Sequence, residues 1–222
     1  MRILVDGLDL SGKTSLVGAL VEEFSGRGHR AVRHRGLLAE HHPARRLLKK
    51  LPLVRQPDSA FVTSAYLLAG YVLDAALVEH DPPRPADAVI VQDGYVDRTV
   101  AFGMAGGPYL GAALALRWPR IFATFDVAVY LHAPVEVRRE RLATREKPDA
   151  MDIRGVEDPA FAATFTAMLV RGMGRRHHNL LVFDTSRHTP HEMATQVVQA
   201  ALGATPPSPQ DTVVPAEWGR AA

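Results

Sequence analysis

The chain has no cysteine, a single asparagine and only four lysines among its 222 residues. Without cysteine it has no disulfides, no thiolate ligands for zinc and no cysteine nucleophile. Its apolar stretches end well before the ~20 residues that cross a membrane, and its first residues lack the pattern of a signal peptide. We therefore expect a soluble cytoplasmic protein without a membrane partner.

Charge is nearly balanced, with 26 basic against 24 acidic side chains, and 47% of the residues are hydrophobic. This composition is that of a globular chain rather than a disordered one. The basic residues are spread over the whole length, which favours anionic ligands weakly and a nucleic acid only very weakly, so we expect no nucleic acid partner.

Five short apolar runs predict the strands of a buried parallel sheet, because they are nearly continuous and bounded by polar residues. They lie at 2–6, 31–33, 88–91, 127–131 and 180–183. Helical patterns lie at 13–25, 43–51, 58–79, 95–104, 110–118, 135–145, 159–176 and 190–202, and the helix at 58–79 is expected to be mostly buried. The alternation predicts an α/β fold, with helices on both faces of a five-stranded parallel sheet. We expect one domain over 1–202 and a proline-rich tail over 203–222.

Residues 7–14 (GLDLSGKT) match the pattern G-x-x-x-x-G-K-[ST] between the first predicted strand and the first predicted helix. Such a loop turns backbone N–H groups toward phosphate oxygens, and the helix N-terminus adds partial positive charge. Lys13 would reach the β- and γ-phosphates of a nucleotide, and Thr14 would ligate Mg²⁺. The alternative is a glycine-rich turn with a solvated lysine. The motif predicts these nucleotide-binding residues: Gly7, Leu10, Ser11, Gly12, Lys13, Thr14 and Ser15.

Two carboxylates are candidates for catalysis on the acceptor side. Asp93 follows the third strand, at the edge where open α/β sheets bind ligands, and is suited to orienting Mg²⁺ or accepting a proton. Its alternative role is to cap the helix that begins near Tyr95. Asp9 lies inside the phosphate loop, where phosphate would repel it, so it either points toward a second substrate or forms a plain turn.

Three arginines recur at i, i+3 and i+7 on the helix at 135–145, and so share one face: Arg138, Arg141 and Arg145. Facing a triphosphate, such arginines clamp the transferring phosphoryl group. The alternative is a solvated surface on which they pair with neighbouring glutamates. We expect an arginine-bearing lid over about 138–156.

Over about 1–202 these residues resemble the thymidylate kinase family of P-loop nucleoside monophosphate kinases. The likeness lies in the loop with Asp9, the stretch 93–103 (DGYVDRTVAFG), the strand and lid at 127–145, and the late 184–186 (DTS). The resemblance implies a kinase that uses ATP and Mg²⁺, with adenine beside Asp184. It also implies a small-molecule acceptor and leaves a homodimer open. A GTPase is not expected, because guanine-specific switches read the base with an N-K-x-D stretch and Asn179 is the only asparagine.

The residue roles follow from the motif and the resemblance together. The candidate metal residues are Thr14 and Asp93. The candidate catalytic residues are Lys13, Asp93, Arg141, Arg145 and Asp9.

The departures from the family pattern fall on the acceptor side. Gly94 replaces the arginine that grips the acceptor's phosphate, and an ungapped count places Val72 where an arginine reads thymine. A site that loses such bonds loses discrimination for its ligand. Three other arginines are candidates to restore the grip: Arg33, Arg45 and Arg98.

If none of them does, the acceptor is a hydroxyl-bearing small molecule of the nucleoside or antibiotic type rather than dTMP. Two alternatives stay open. One is a true thymidylate kinase whose acceptor contacts are relocated. The other is a nucleotide-binding regulatory protein that transfers nothing.

Overall fold

The computed structural model describes residues 1–43, 45, 61–107 and 109–203, with the backbone alone for 61–67. Strands and helices alternate along this part of the chain, as the sequence predicts. The strands are β1 (Arg2–Gly7), β2 (Ala31–His34), β3 (Val89–Asp93), β4 (Val127–His132) and β5 (Leu180–Asp184). The described α-helices are α1 (Lys13–Gly26), α2 (Phe61–Leu77), α3 (Val96–Ala105), α4 (Tyr109–Arg117), α5 (Val135–Ala143), α6 (Ala150–Glu157), α7 (Pro159–Arg176) and α8 (Pro190–Ala201).

The five strands form one parallel sheet in the order β2-β3-β1-β4-β5, so the predicted five-stranded parallel sheet is confirmed. Strand β1 lies at its centre, with Val5 opposite Asp93 of β3 and Gly7 opposite Leu131 of β4. The carboxyl ends of all five strands therefore meet at one edge. The loop at 7–14 leaves the middle of that edge.

Helices cover both faces of the sheet, as predicted. Apolar residues of α1 and α8, among them Leu20 and Val197, pack on one face. Residues of α2, α3, α4 and α7, among them Val100 and Leu169, pack on the other. Burial on both faces explains why the strand sequences are apolar runs rather than alternating patterns. None of the helices in the described residues has the length and apolarity needed to span a membrane.

Helix α2 is less buried than the sequence predicts. Asp74 is buried and accepts hydrogen bonds from Leu38 N, Ala39 N and the Tyr95 hydroxyl. Val72, on another face, is 39% exposed. The expectation of a mostly buried helix is therefore wrong for its described side chains, because only one stripe faces inward.

Three parts of the sequence predictions lie outside the described residues. They are the first three residues of the helix predicted at 58–79, most of the helix predicted at 43–51, and the tail from 204 onward.

The lid differs from the prediction in two ways. Helix α5 ends at Ala143, and a second short helix, α6, follows that the sequence reading does not predict. Arg138 does not face outward with Arg141 and Arg145 but is buried, and its guanidinium donates to the carbonyls of Ala133 and Gly155. Arg138 thus links α5 to α6. The prediction that it shares a phosphate-clamping face with Arg141 and Arg145 is wrong.

Candidate functional site

The loop between β1 and α1 follows a tight path that its glycines permit. A Cβ on Gly7 would lie 2.5 Å from the Leu131 carbonyl oxygen and 2.6 Å from Ser11 Oγ, so only glycine fits there. Gly12 has φ of 94° and Leu10 has φ of 66°, both in the left-handed region. No side chain among the described residues caps the N-terminus of α1. Its first N–H groups and its partial positive charge are therefore directed at the loop.

Lys13 lies across this loop. Its Nζ donates to the carbonyls of Gly7 (2.9 Å) and Leu8 (3.0 Å) and lies 3.4 Å from Asp9 Oδ1. Burial lowers the pKa of the ammonium, and the nearby charge of Arg98 acts in the same direction. The Lys13 ammonium, which the motif predicts to bind the phosphates of a nucleotide, thus lies at the centre of the loop.

Arg98 and Asp9 form an ion pair beside Lys13. The Arg98 guanidinium donates to the Gly7 carbonyl (3.0 Å) and to the Asp9 carboxylate. Burial opposes ionisation of Asp9, but the charges of Arg98 and Lys13 outweigh it and lower its pKa to about 2. Asp9 is therefore a fixed anion that is bound to two cations.

Asp6 is a member of this network that sequence reasoning missed. It is fully buried, and Gly7 N donates to its carboxylate at 2.8 Å. Burial raises its pKa to about 6, although Arg98 and Lys13 act against this shift. The available signal was an acid inside an otherwise apolar strand, directly before the glycine loop.

Asp93 lies at the carboxyl end of β3 and is paired with Arg33. Their side chains approach to 2.6 Å, and the Asp93 side chain is only 9% exposed. It does not cap α3, because the residue at the cap position is Tyr95 and no side chain bonds there. The alternative role as a helix cap is therefore wrong, whereas its role toward a substrate or metal stays a prediction.

A cavity of about 500 Å³ lies at this edge of the sheet, within the size range of small-molecule sites. Nine of the predicted site residues line it: Asp9, Leu10, Gly12, Lys13, Thr14, Ser15, Asp93, Arg141 and Arg145. The described lining also includes residues that the sequence reading did not assign to a site: Arg35, Asp149, Met151, Thr185, His188, Pro190 and Met193. With Arg98 the described lining carries five lysine or arginine side chains against three carboxylates, which suits a polyanionic ligand.

The two lid arginines on the cavity have different partners. Arg141 donates to the Leu10 carbonyl (2.8 Å) and to Thr185 Oγ1 (3.1 Å), so it joins the glycine loop to the segment after β5. Arg145 lies 3.1 Å from Asp152 of α6, and its side chain is 45% exposed. Arg141 therefore belongs to the framework of the loop, whereas the Arg145 guanidinium has only the ion pair with Asp152 among its contacts with the described residues.

Asp184 stabilises a turn and is not among the described residues that line the cavity. Its carboxylate accepts from Ser186 N (2.9 Å) and Ser186 Oγ (2.6 Å). Burial opposes ionisation, but these bonds lower its pKa. The neighbouring Thr185 reaches the cavity in its place.

Oxygen ligands of the kind that Mg²⁺ prefers lie on and beside the cavity. Thr14 offers a hydroxyl and Asp93 a carboxylate on its wall. Carboxylate oxygens of Asp9, Asp149 and Asp152 lie within 4.8 Å of one another. Burial raises the pKa of Asp152, and the charge of Asp149 adds to the shift.

No family model matches the chain, and no curated protein matches it either.

Proposed function

We propose that the protein is an ATP- and Mg²⁺-dependent phosphotransferase with a P-loop kinase fold similar to that of thymidylate kinases. One observation carries the proposal. The 7–14 motif lies between a central parallel strand and a helix, and Lys13 lies inside its loop beside a cavity with a cationic lining. A glycine-rich turn with a solvated lysine would not need the close packing of Gly7 or the buried ammonium.

The donor would bind on the loop and toward β5. Lys13 and the loop N–H groups would hold the β- and γ-phosphates, and the Thr14 hydroxyl would hold Mg²⁺. Arg141 would keep Leu10 and Thr185 in place beside the nucleoside, since it bonds to both. The bound Mg²⁺ would supply charge neutralisation between the phosphate oxygens.

Catalysis would be mainly positioning and electrostatic stabilisation. Arg145 is the lid arginine suited to the transferring phosphoryl group, because it lines the cavity and its side chain is 45% exposed, although its ion-pair partner Asp152 is buried. If Arg145 exchanged its ion pair with Asp152 for phosphate oxygens, the N–H donors of its planar guanidinium would contact the charge that develops on the transferring phosphoryl group.

The acceptor could be a hydroxyl group or a phosphate monoester, and the ionisation of the carboxylates on the cavity distinguishes the two. A hydroxyl acceptor needs a base, which would be Asp93 or Asp9. Both are ion-paired to arginine, and the pKa of Asp9 is lowered to about 2, so it is a weak base. A phosphate monoester is already ionised near pH 7 and needs no base. The ion pairs therefore favour the second candidate, a nucleoside monophosphate kinase with relocated acceptor contacts.

A calorimetric titration combined with an ADP-release assay tests the proposal. We expect the protein to bind Mg²⁺ and a non-hydrolysable ATP analogue, and to release ADP from ATP when a set of nucleosides, nucleoside monophosphates and hydroxylated antibiotics is added. Analogue binding without ADP release for any acceptor would support a non-catalytic nucleotide-binding protein instead. Absence of analogue binding would refute both functions.

A further inference from the structure

The side chain of Arg98 lies beside Gly94. Residue 94 has φ of 71°, a region that favours glycine. A Cβ placed there would lie 3.8 Å from Arg98 Cδ and 4.0 Å from the Asp6 carboxylate. The stem of Arg98 thus passes over the position from which the family's arginine would project.

Arg98 has donors left for a ligand. An arginine carries five N–H groups. Arg98 uses one for the Gly7 carbonyl and one for Asp9, and the others meet no acceptor among the described residues. Its side chain is 28% exposed and lines the cavity.

Arg35 supplies a second cation at the same end. It follows β2, is exposed and lines the cavity, and it forms no ion pair or hydrogen bond within the described part of the chain. Strand β2 is two strands from β1 on one side, and β5 is two strands from β1 on the other. Arg35 therefore lies on the opposite side of the glycine loop from Thr185.

A buried amide joins the two segments that carry these arginines. Gln92 is fully buried, and its Nε2 donates to the carbonyls of Gly36 (2.9 Å) and Gly94 (2.8 Å). Its Oε1 lies 2.7 Å from His34 Nδ1. One side chain thus fixes the turn after β2 relative to the turn after β3.

We propose that Arg35 and Arg98 form the anion clamp of the acceptor, in place of the arginine absent at Gly94, and that Gln92 is its positioning residue. The proposal rests on the proposed phosphotransferase function. Arg33 neutralises Asp93, and Arg98 and Lys13 neutralise Asp9, so these carboxylates do not repel an incoming anion. The ligand class that fits is a dianionic phosphate monoester.

The transfer step then balances without a base from the protein. An oxygen of the acceptor's phosphate attacks the γ-phosphorus, and the bond from this phosphorus to the β,γ-bridging oxygen breaks. ADP leaves with that electron pair. The acceptor is ionised near pH 7 and has no proton to lose.

Calorimetry with the donor site filled tests the clamp. Wild-type protein saturated with Mg²⁺ and a non-hydrolysable ATP analogue is titrated with three probes and their matched partners. The pairs are dTMP and thymidine, ribose 5-phosphate and ribose, and methyl phosphate and methanol. We expect at least one monoester to bind about tenfold or more tighter than its partner, as charge-assisted hydrogen bonds provide.

Substitutions distinguish binding by these two arginines from a general effect of positive charge. Arg35→Gln and Arg98→Gln should each lower the monoester preference about tenfold, and Arg98→Lys should restore part of it. Arg30→Gln, an exposed arginine just before β2, is the control and should leave the preference unchanged. Gln92→Leu should weaken monoester binding while analogue binding is kept.

Analogue binding with no monoester preference in any pair would overturn the clamp and leave the phosphotransferase proposal standing. An unchanged preference in Arg35→Gln would also overturn it. Failure to bind the analogue would instead refute the proposed function.

Discussion

At the scale of single residues, Arg141 and Arg145 have different contacts and should have different kinetic effects. Arg141 bonds to the loop carbonyl of Leu10 and to Thr185, whereas Arg145 pairs only with Asp152 among the described residues. We expect Arg141→Ala to raise the KM for ATP about tenfold through loss of loop order. Arg145→Ala should lower kcat about 100-fold or more with little change in that KM.

Steady-state kinetics over a range of ATP concentrations, at a saturating acceptor, separates these effects. Arg139→Ala, an exposed arginine of the same helix outside the described cavity lining, is the matched control. An unchanged kcat in Arg145→Ala would remove this arginine from the proposed mechanism.

Asp6 should make stability depend on pH in a defined window. Its pKa is raised by burial from 3.8 to about 6, so between these values the folded state binds a proton that the unfolded state has lost. The free energy of unfolding should therefore decrease as pH rises from about 4 to about 6. The decrease amounts to about 3 kcal/mol, since one pKa unit corresponds to about 1.4 kcal/mol.

Urea unfolding from pH 4 to pH 7 measures this effect as the difference between wild type and Asp6→Asn. Asp9 does not obscure it, because its lowered pKa removes stability only as pH falls below about 4. Parallel pH profiles of the two proteins would show that Asp6 does not titrate in this window.

At the scale of elements, helices α3 and α7 are joined by a buried ion pair that the sequence reading did not foresee. Arg176, in the last turn of α7, lies inside the protein, with its Nε 3.1 Å from Asp97 Oδ1 and both side chains no more than 3% exposed. Burial opposes ionisation of Asp97, but Arg176 and His177 together outweigh it and lower its pKa.

Loss of one partner should cost more than loss of both. We expect Arg176→Met to lower the free energy of unfolding by about 3–5 kcal/mol, because it removes the arginine partner of a buried carboxylate and leaves only His177, whose Nε2 lies 3.6 Å from Asp97 Oδ2. Adding Asp97→Leu should recover most of this loss. Arg175→Met, at the exposed neighbouring position, should change it by less than about 1 kcal/mol.

Chemical denaturation of the single and double variants checks this prediction. If the double variant is less stable than Arg176→Met alone, the ion pair does not account for the contact between the two helices.

Element α6 shows why parts of the lid were missed. The helix is short, and its start is set by a capping box in which Asp149 accepts from Asp152 N at 2.9 Å and Asp152 accepts from Asp149 N at 2.8 Å. The sequence offers this spacing, but eight residues carry too little periodicity to indicate a helix. The inward turn of Arg138 depends on a carbonyl of this unforeseen helix, so it was not readable from periodicity.

At the scale of the whole molecule, the sheet and its two layers of helices follow from the sequence, because strands buried on both faces give apolar runs. The loop at 7–14 likewise has a local pattern. The acceptor side was not readable in this way. Its features arise from pairs that are distant in sequence, such as Arg33 with Asp93 and Arg98 with Asp9. The position of Val72 on an exposed face depends on helix packing.

The central claim is that Lys13 acts in transfer of the γ-phosphoryl group of ATP. Its most direct test follows labelled phosphate from γ-labelled ATP to a mixture of phosphate-bearing and hydroxyl-bearing acceptors, with wild type, Lys13→Ala and the exposed control Lys147→Ala. We predict a labelled acceptor with wild type and the control, and a rate at least about 100-fold lower with folded Lys13→Ala. An undiminished rate in Lys13→Ala, or no labelled acceptor with wild type, would contradict the account.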